Sequence, residues 1–242
     1  MKVRNFVVLV GLMMLVAFSS EAQYGGDYTY SRESVWGITK ATNSGLIGGL
    51  MFKHTRSLGN NWFHGIGIEI VNIKHPQEQK YFTQTSNTFI WGKENYLYSI
   101  RLSYDREYVL FRKAPQQGVQ INAIFMGGPT IGLEAPYYVE IKGPANTTVR
   151  VPYDAEKMNG KPDQILGTGG ILQGIGQSSV VPGLNLKSSV AFEFGTFKSN
   201  VVGVEVGFQV DFFVREINII PTANNQSIFP SAFFTLFYGG RK

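Results

Sequence analysis

From Asn200 to Phe213 the chain reads NVVGVEVGFQVDFF. Val202, Val204, Val206, Phe208, Val210 and Phe212 occupy one set of alternate positions. Gly203, Glu205, Gly207, Gln209 and Asp211 occupy the other. Successive side chains of a β-strand point to opposite faces, so this period of two predicts a strand with one apolar and one polar face. Seven further segments alternate in the same way: about Ser34–Ala41, Leu46–Arg56, Trp62–Lys74, Asn95–Phe111, Gly118–Leu133, Leu184–Phe197 and about Pro230–Gly239. In the third, Ile66, Ile68 and Ile70 oppose Gly65, Gly67 and Glu69. In the last, Ala232, Phe234, Leu236 and Tyr238 share a face.

The connections between these segments differ in length. TNSG, SLGNN, KAPQQ and KSN are short, and the last three are tight turns rich in Gly, Asn, Pro and Lys. His75–Lys93, Ala135–Gly183 and Ile217–Phe229 are long. Short turns at one end and long loops at the other are the mark of a transmembrane β-barrel, with short periplasmic turns and long outer loops. The fold expected is therefore all-β: an eight-stranded antiparallel up-and-down transmembrane barrel. In hydrocarbon the backbone must satisfy its own hydrogen bonds, so a sheet has to close on itself. Lipid then takes the Val/Phe face and a narrow lumen the other. Parity sends Lys53, Glu69, Arg101, Asp105, Lys187, Glu193, Glu205 and Asp211 inward. Both signs are present, as a buried charge requires, and the expectation is a lumen charge network that plugs the barrel. Glycines such as Gly65, Gly67, Gly195, Gly203 and Gly207 are expected to make room for the long charged side chains.

The ends sharpen this picture. MKVRN is basic, Phe6–Phe18 is a 13-residue apolar run, and Ser20 and Ala22 are small. That is the layout of a secretory signal peptide, 1–22, cleaved before Gln23; 23–242 is the barrel domain. Removal of Lys2, Arg4 and Glu21 takes 22 basic and 17 acidic residues to 20 and 16, a net +4. So mild a surplus does not suggest nucleic acid and suits anionic lipid headgroups. With no cysteine there are no disulfides, and stability must come from burial or from the membrane. After the signal, no apolar run is long enough for a transmembrane helix. Aromatic residues make up 14% of the chain. Trp36, Trp62, Tyr104, Tyr108 and Tyr238 fall at the periplasmic ends of their strands, where amphipathic rings favour a membrane interface.

The end SAFFTLFYGGRK resembles the final strand of outer-membrane barrels, though GGRK trails the aromatic Tyr238 where a terminal Phe is commonest. With GLIGGLMFKHTRSLGNNWFHGIGIEIVNIKHPQE, LFRKAPQQGVQINAI, GGPTIGLEAPYYVE and PGLNLKSSVAFEFG, the mature chain resembles a small outer-membrane β-barrel family of Bacteroidota. The resemblance implies fold and location, the Gram-negative cell outer membrane, and carries no catalytic residues. It extends loosely to the small barrels among type IX secretion components, to which no motif here is specific.

Little in the chain points to chemistry. Of the three histidines, His54, His64 and His75, only His75 is placed at the depth of the outer leaflet. Some small outer-membrane barrels modify lipid A there with a histidine, a serine and a carboxylate. Its neighbours Ser86, Glu78 and Glu94 show no spacing that marks a triad, which is recognised by geometry. His and carboxylate spacings give no metal site, and no cofactor motif is found. GTGGILQGIG, Gly167–Gly176, lacks the Lys-Ser/Thr of a phosphate loop. NTT, Asn146–Thr148, is an uninformative glycosylation-like triplet. The 49-residue connection Ala135–Gly183 is rich in apolar and aromatic residues. Its Tyr137, Tyr138 and Tyr153 are read as a lid over the mouth or as contacts to a partner. The expected role is non-enzymatic: a structural or accessory subunit of an envelope export or assembly complex. Outer-membrane lipid, lipopolysaccharide and protein are its partners, and nucleic acid is not. The alternative is a lipid A-modifying enzyme.

Overall fold

Alternating segments this apolar have nowhere to hide an edge, and the sheet they build closes on itself. The computed structural model describes residues 30–83, 85–112, 118–144, 147–158, 162–194 and 199–242. The expected signal segment, the turn 113–117 and Asn146 lie outside these residues. Among these residues thirteen strands form: β1 (Arg32–Ala41), β2 (Ser44–Gly59), β3 (Trp62–Ile73), β4 (Lys80–Phe82), β5 (Thr88–Ile90), β6 (Asn95–Phe111), β7 (Gln120–Pro136), β8 (Tyr138–Lys142), β9 (Thr148–Pro152), β10 (Ile165–Thr168), β11 (Ser179–Phe194), β12 (Asn200–Ile217) and β13 (Gln226–Arg241). A one-turn helix, α1, spans Ala155–Met158.

Eight of these strands make a closed barrel in the order β1-β13-β12-β11-β7-β6-β3-β2, antiparallel throughout. Closure is between first and last: Trp36 lies opposite Phe52 on β2 and opposite Tyr238 on β13. The total exceeds the eight strands read from the sequence. The other five form two small sheets in the long connections, β10-β8-β9 and the hairpin β4-β5. Strands of three to five residues, interrupted by Gly and Pro, carry too few repeats for a period-two pattern to register.

The short turn between β2 and β3 shows how the sequence sets a reversal. Gly59, Asn60 and Asn61 all have positive φ, at 85°, 48° and 66°, in the left-handed region that Gly and Asn tolerate best. Side chains on the barrel then divide by parity. Trp36, Ile38, Leu50, Phe52, Leu184 and Leu236 are exposed on the outer wall, whereas Thr39, Lys53, Glu69, Arg101, Asn185 and Thr235 are buried inside.

Candidate functional site

The lumen is the most constrained chemical environment in the molecule, and its centre is Arg101 on β6. Its Nε donates to Asp211 Oδ1 at 2.8 Å and its Nη2 to Asp211 Oδ2 at 2.5 Å, a bidentate pair. Nη1 donates to Glu69 Oε2 at 3.2 Å and to Gln209 Oε1 at 3.3 Å. Lys187 Nζ lies 3.3 Å from Glu205 Oε1, 4.0 Å from Glu69 Oε2 and 4.0 Å from the centroid of the Phe233 ring. Ser189 Oγ donates to Glu205 Oε1 at 2.6 Å. A second charged layer lies towards the short turns. There Lys53 Nζ meets Glu107 Oε2 at 3.0 Å, and Asn122 Nδ2 bridges Glu107 and Glu193 at 2.6 and 2.5 Å. Arg241 pairs with Glu33 at 2.6 Å and with Glu193, and its guanidinium lies over the Tyr30 ring at 4.0 Å.

All eight charges that parity sends inward are buried, and seven are joined in these contacts. Asp105 is the exception, since neither carboxylate oxygen has a hydrogen-bond partner among the described residues. It sits opposite Gly65, where an added Cβ would come within 2.7 Å of Asp105 Oδ1. Gly203 makes room for a different neighbour, because a Cβ there would lie 2.4 Å from the Phe237 ring and not beside a charge. The lumen is thus stratified. Val35, Met51, Ile124, Ala191, Val201 and Phe237 form an apolar cluster near the lower charged layer. The cavity bounded by Met51, Lys53, Glu69, Met126, Lys187 and Glu205 measures about 20 Å³, room for a single water.

Above the Arg101 layer the mouth is filled by apolar residues. Val71, Leu97, Val181, Phe213 and Phe229 from the walls pack with Ile217, Ile219 and Ile220 where β12 leads into its last connection. This connection is tied across the rim: Glu94 N donates to Ile219 O at 3.0 Å, Asn95 Nδ2 to Asn218 O at 2.7 Å, and Asn218 N to Glu134 Oε1 at 2.8 Å. The connection expected to act as the lid does something else. Its strands β8, β9 and β10 and the β4-β5 hairpin share a core of Phe89, Tyr137, Val139, Tyr153, Ala155 and Ile165. That core also contains Tyr96, Tyr98 and Ala135, which lie on the outward faces of β6 and β7. The cap therefore leans on the outside of the barrel rim.

Tyr137 and Tyr153 are interior to this cap, which corrects their reading as lid or partner contacts. Ile90 N donates to Tyr137 Oη at 3.0 Å and Gly92 N to Tyr153 Oη at 3.2 Å. Burial pushes both phenols above their ordinary pKa. Tyr138 is half-buried and donates to Gln177 Oε1 at 2.8 Å. Beneath them Lys93, fully buried, meets Glu78 Oε1 at 2.5 Å and faces the Tyr96 ring at 4.4 Å. Burial lowers the Lys93 pKa, and the Glu78 carboxylate opposes that shift.

No family model and no curated protein sequence matches this chain. Among solved structures it is similar to Neisserial surface protein A at 10% identity, over 90% of this chain and 100% of that one, with a TM-score of 0.41. It is also similar to the N-terminal β-barrel domain of Pseudomonas aeruginosa OprF, at 6% identity over 88% and 98% of the two chains, TM-score 0.37. Ail, the attachment invasion locus protein of Yersinia pestis, solved in complex with the heparin analogue sucrose octasulfate, matches at 8% identity over 88% and 100%, TM-score 0.37.

The histidine constellation does not assemble. His75 is buried, its Nδ1 accepts from Gln77 N at 3.2 Å and its Nε2 donates to Asn224 O at 3.1 Å. Glu78 holds Lys93, and Glu94 accepts from Ala155 N at 3.0 Å. His75 is thus a tie between two connections. The five aromatics expected at a membrane interface all lie on the outer face of the barrel, paired as Trp36 with Tyr238 (6.0 Å), Trp62 with Tyr108 (4.8 Å) and Tyr104 with His64 (6.0 Å). Glu33, Glu107 and Arg241 are lumen charges that the sequence reading did not name. Glu107 has the inward parity of Arg101 and Asp105, so that signal was available. Glu33 and Arg241 lie just beyond the strand ends drawn from the sequence.

Proposed function

We propose that the protein is an integral outer-membrane β-barrel that conducts no ions and carries a folded β-sheet cap at the cell surface. In this reading it serves as a structural or accessory subunit of an envelope export or assembly complex. The observation that carries the reading is inverted polarity. In water, apolar side chains are driven inward; here Ile66, Phe125 and Phe208 are 67%, 62% and 74% exposed on the outer wall while Arg101 and Asp211 are buried. A wall of that kind suits hydrocarbon, flanked by the aromatic girdle at the short-turn end. The signal-like N-terminus supports export. Outer-membrane lipid and lipopolysaccharide would cover the wall. With the lumen filled, the surface beyond the loop end remains for protein partners.

Single cysteines in this cysteine-free chain test the topology. Substitutions at Ser86 and Thr222 are expected to react with an impermeant maleimide on intact cells, and those at Asn60 and Ser199 only after lysis. The reverse pattern sinks the orientation. For the accessory role, affinity purification from native membranes in mild detergent is expected to recover envelope proteins in fixed ratio; a chain that emerges alone sinks that part.

A further inference from the structure

The glycine-rich run that resembled a phosphate loop has a definite position. After β10 the chain folds back along the outer side of the β6-β7 rim, where four contacts hold it. Gly169 N donates to Tyr138 O at 2.8 Å. Tyr98 Oη donates to Ile171 O at 2.5 Å, and Tyr138 Oη to Gln177 Oε1 at 2.8 Å. Gly174 lies so flat on Pro136 that an added Cβ would come within 2.3 Å of Pro136 O. Tyr98 projects from the outward face of β6, so the segment sits beside the wall and not over the mouth.

Its apolar side chains are nevertheless turned away from the protein. Ile171, Leu172 and Ile175 are 59%, 67% and 37% exposed. Single exposed apolar residues are ordinary, but here three of five consecutive residues project from a backbone held in place. They are continuous with the wall, since Tyr98 pairs with Leu133 and Leu133 with Val180, itself 66% exposed. Residues 169–177 include no charged side chain. Four of its backbone donors are satisfied within the segment: Gly170 N bonds to Gln173 Oε1, Gln173 N to Gly170 O, Ile175 N to Leu172 O and Gln177 N to Gly174 O. Neither a charge nor these backbone donors oppose entry into a lipid interface.

The height is right as well. Tyr108, in the girdle beside Trp62, is ten residues along β6 from Tyr98. At about 3.3 Å per residue and about 45° of tilt, that separation covers ~23 Å, close to the ~25 Å apolar band of a membrane barrel. Tyr98 then marks the opposite interface.

We propose that Gly169–Gln177 is a membrane-interface anchor. Ile171, Leu172 and Ile175 enter the acyl-chain edge of the outer leaflet beside β6 and β7, and so hold the three-stranded cap to the lipid surface. The proposal rests on the membrane-spanning reading, and its test separates the two. Nitroxide labels are placed on single cysteines at Ile171, Leu172, Phe208 and Glu156, and the protein is reconstituted in phosphatidylcholine vesicles. Power saturation compares access of oxygen with access of a water-soluble nickel chelate. Labels at Ile171 and Leu172 are expected to favour oxygen, as at Phe208 but at shallower depth, whereas Glu156 favours the chelate. If Phe208 is lipid-like while Ile171 and Leu172 match Glu156, the anchor is overturned and the barrel reading stands. If Phe208 itself matches Glu156, the membrane reading fails and the anchor with it. A second measurement uses the double variant Ile171→Glu, Leu172→Glu. Tryptic cleavage after Lys157 in vesicles is expected to accelerate several-fold, and an unchanged rate counts against the anchor.

Discussion

Single residues here are held by partners more than by position. Lys93 shows it best, a cation without solvent contact that keeps its place through Glu78 and the Tyr96 ring. Removing one member of a buried pair leaves the other uncompensated, at a cost of about 3–5 kcal/mol. Lys93→Met is expected to destabilise the cap by that order, and Lys93→Met combined with Glu78→Gln to recover most of it. Trp91 packs at the edge of the cap core, so its fluorescence in a Trp36→Phe, Trp62→Phe background reports cap unfolding in urea. Equal losses in single and double variants would mean that the pair is not what Lys93 contributes. The buried phenols set a pH limit on the same unit. Tyr137 and Tyr153 have raised pKa values when folded, so the unfolded cap loses these protons first. Their contribution is complete below an ordinary tyrosine pKa of about 10 and is lost as pH rises from there through the raised folded values. Urea midpoints followed through Trp91 from pH 8 to about 11 should fall at the alkaline end, and less steeply in Tyr153→Phe.

Elements divide into those with an exposed apolar face and a buried polar one and those that pack on other elements. β12 belongs to the first kind. Val206 lies on its exposed face, and Glu205, one residue away, is buried beside Lys187. Val206→Arg is expected to cost about 2–4 kcal/mol if it lies near the bilayer midplane. Glu205→Gln should be milder, because Lys187 retains Glu69 at 4.0 Å and the Phe233 ring. Folding titrations into vesicles check the order, and its reversal would refute the assignment of faces on this strand. β8, β9 and β10 belong to the second kind. Their shared core includes Tyr96 and Tyr98 of the barrel wall, so they are a side buttress of the rim and not an independent lid.

At the scale of the molecule, charged and apolar layers alternate along one closed tube. Arg101, Asp211, Lys187 and Glu205 fill the middle, and Ile217, Ile219 and Ile220 close the mouth above them. An eight-stranded barrel has no spare width once such side chains are in place. The purified protein is therefore expected to give no steady current in planar bilayers. Replacing Lys53, Arg101 and Lys187 together with Ala should lower the unfolding temperature before any pore appears, since it strands Glu107, Asp211 and Glu205 without their cations. Reproducible single-channel steps from the unmodified protein would overturn the seal.

The faces of the barrel strands were legible in the chain itself because a period of two is a local property. Asn200–Phe213 needs no partner to show which residues share a side, and the glycines and asparagines of its turns likewise act where they stand. Which charge meets which was not legible. That Arg101 takes Asp211, 110 positions away, depends on the register at which eight strands close, and register is a property of pairs of strands. The mouth closure by Ile219 and Ile220 and the leaning of the cap on Tyr96 and Tyr98 were hidden for a related reason. Both are made by short irregular segments whose apolar residues become a core only when another part of the chain supplies the other half. Sequence alone determined a wall with two faces; tertiary closure decided the pairing inside it and the place where its longest loop came to rest.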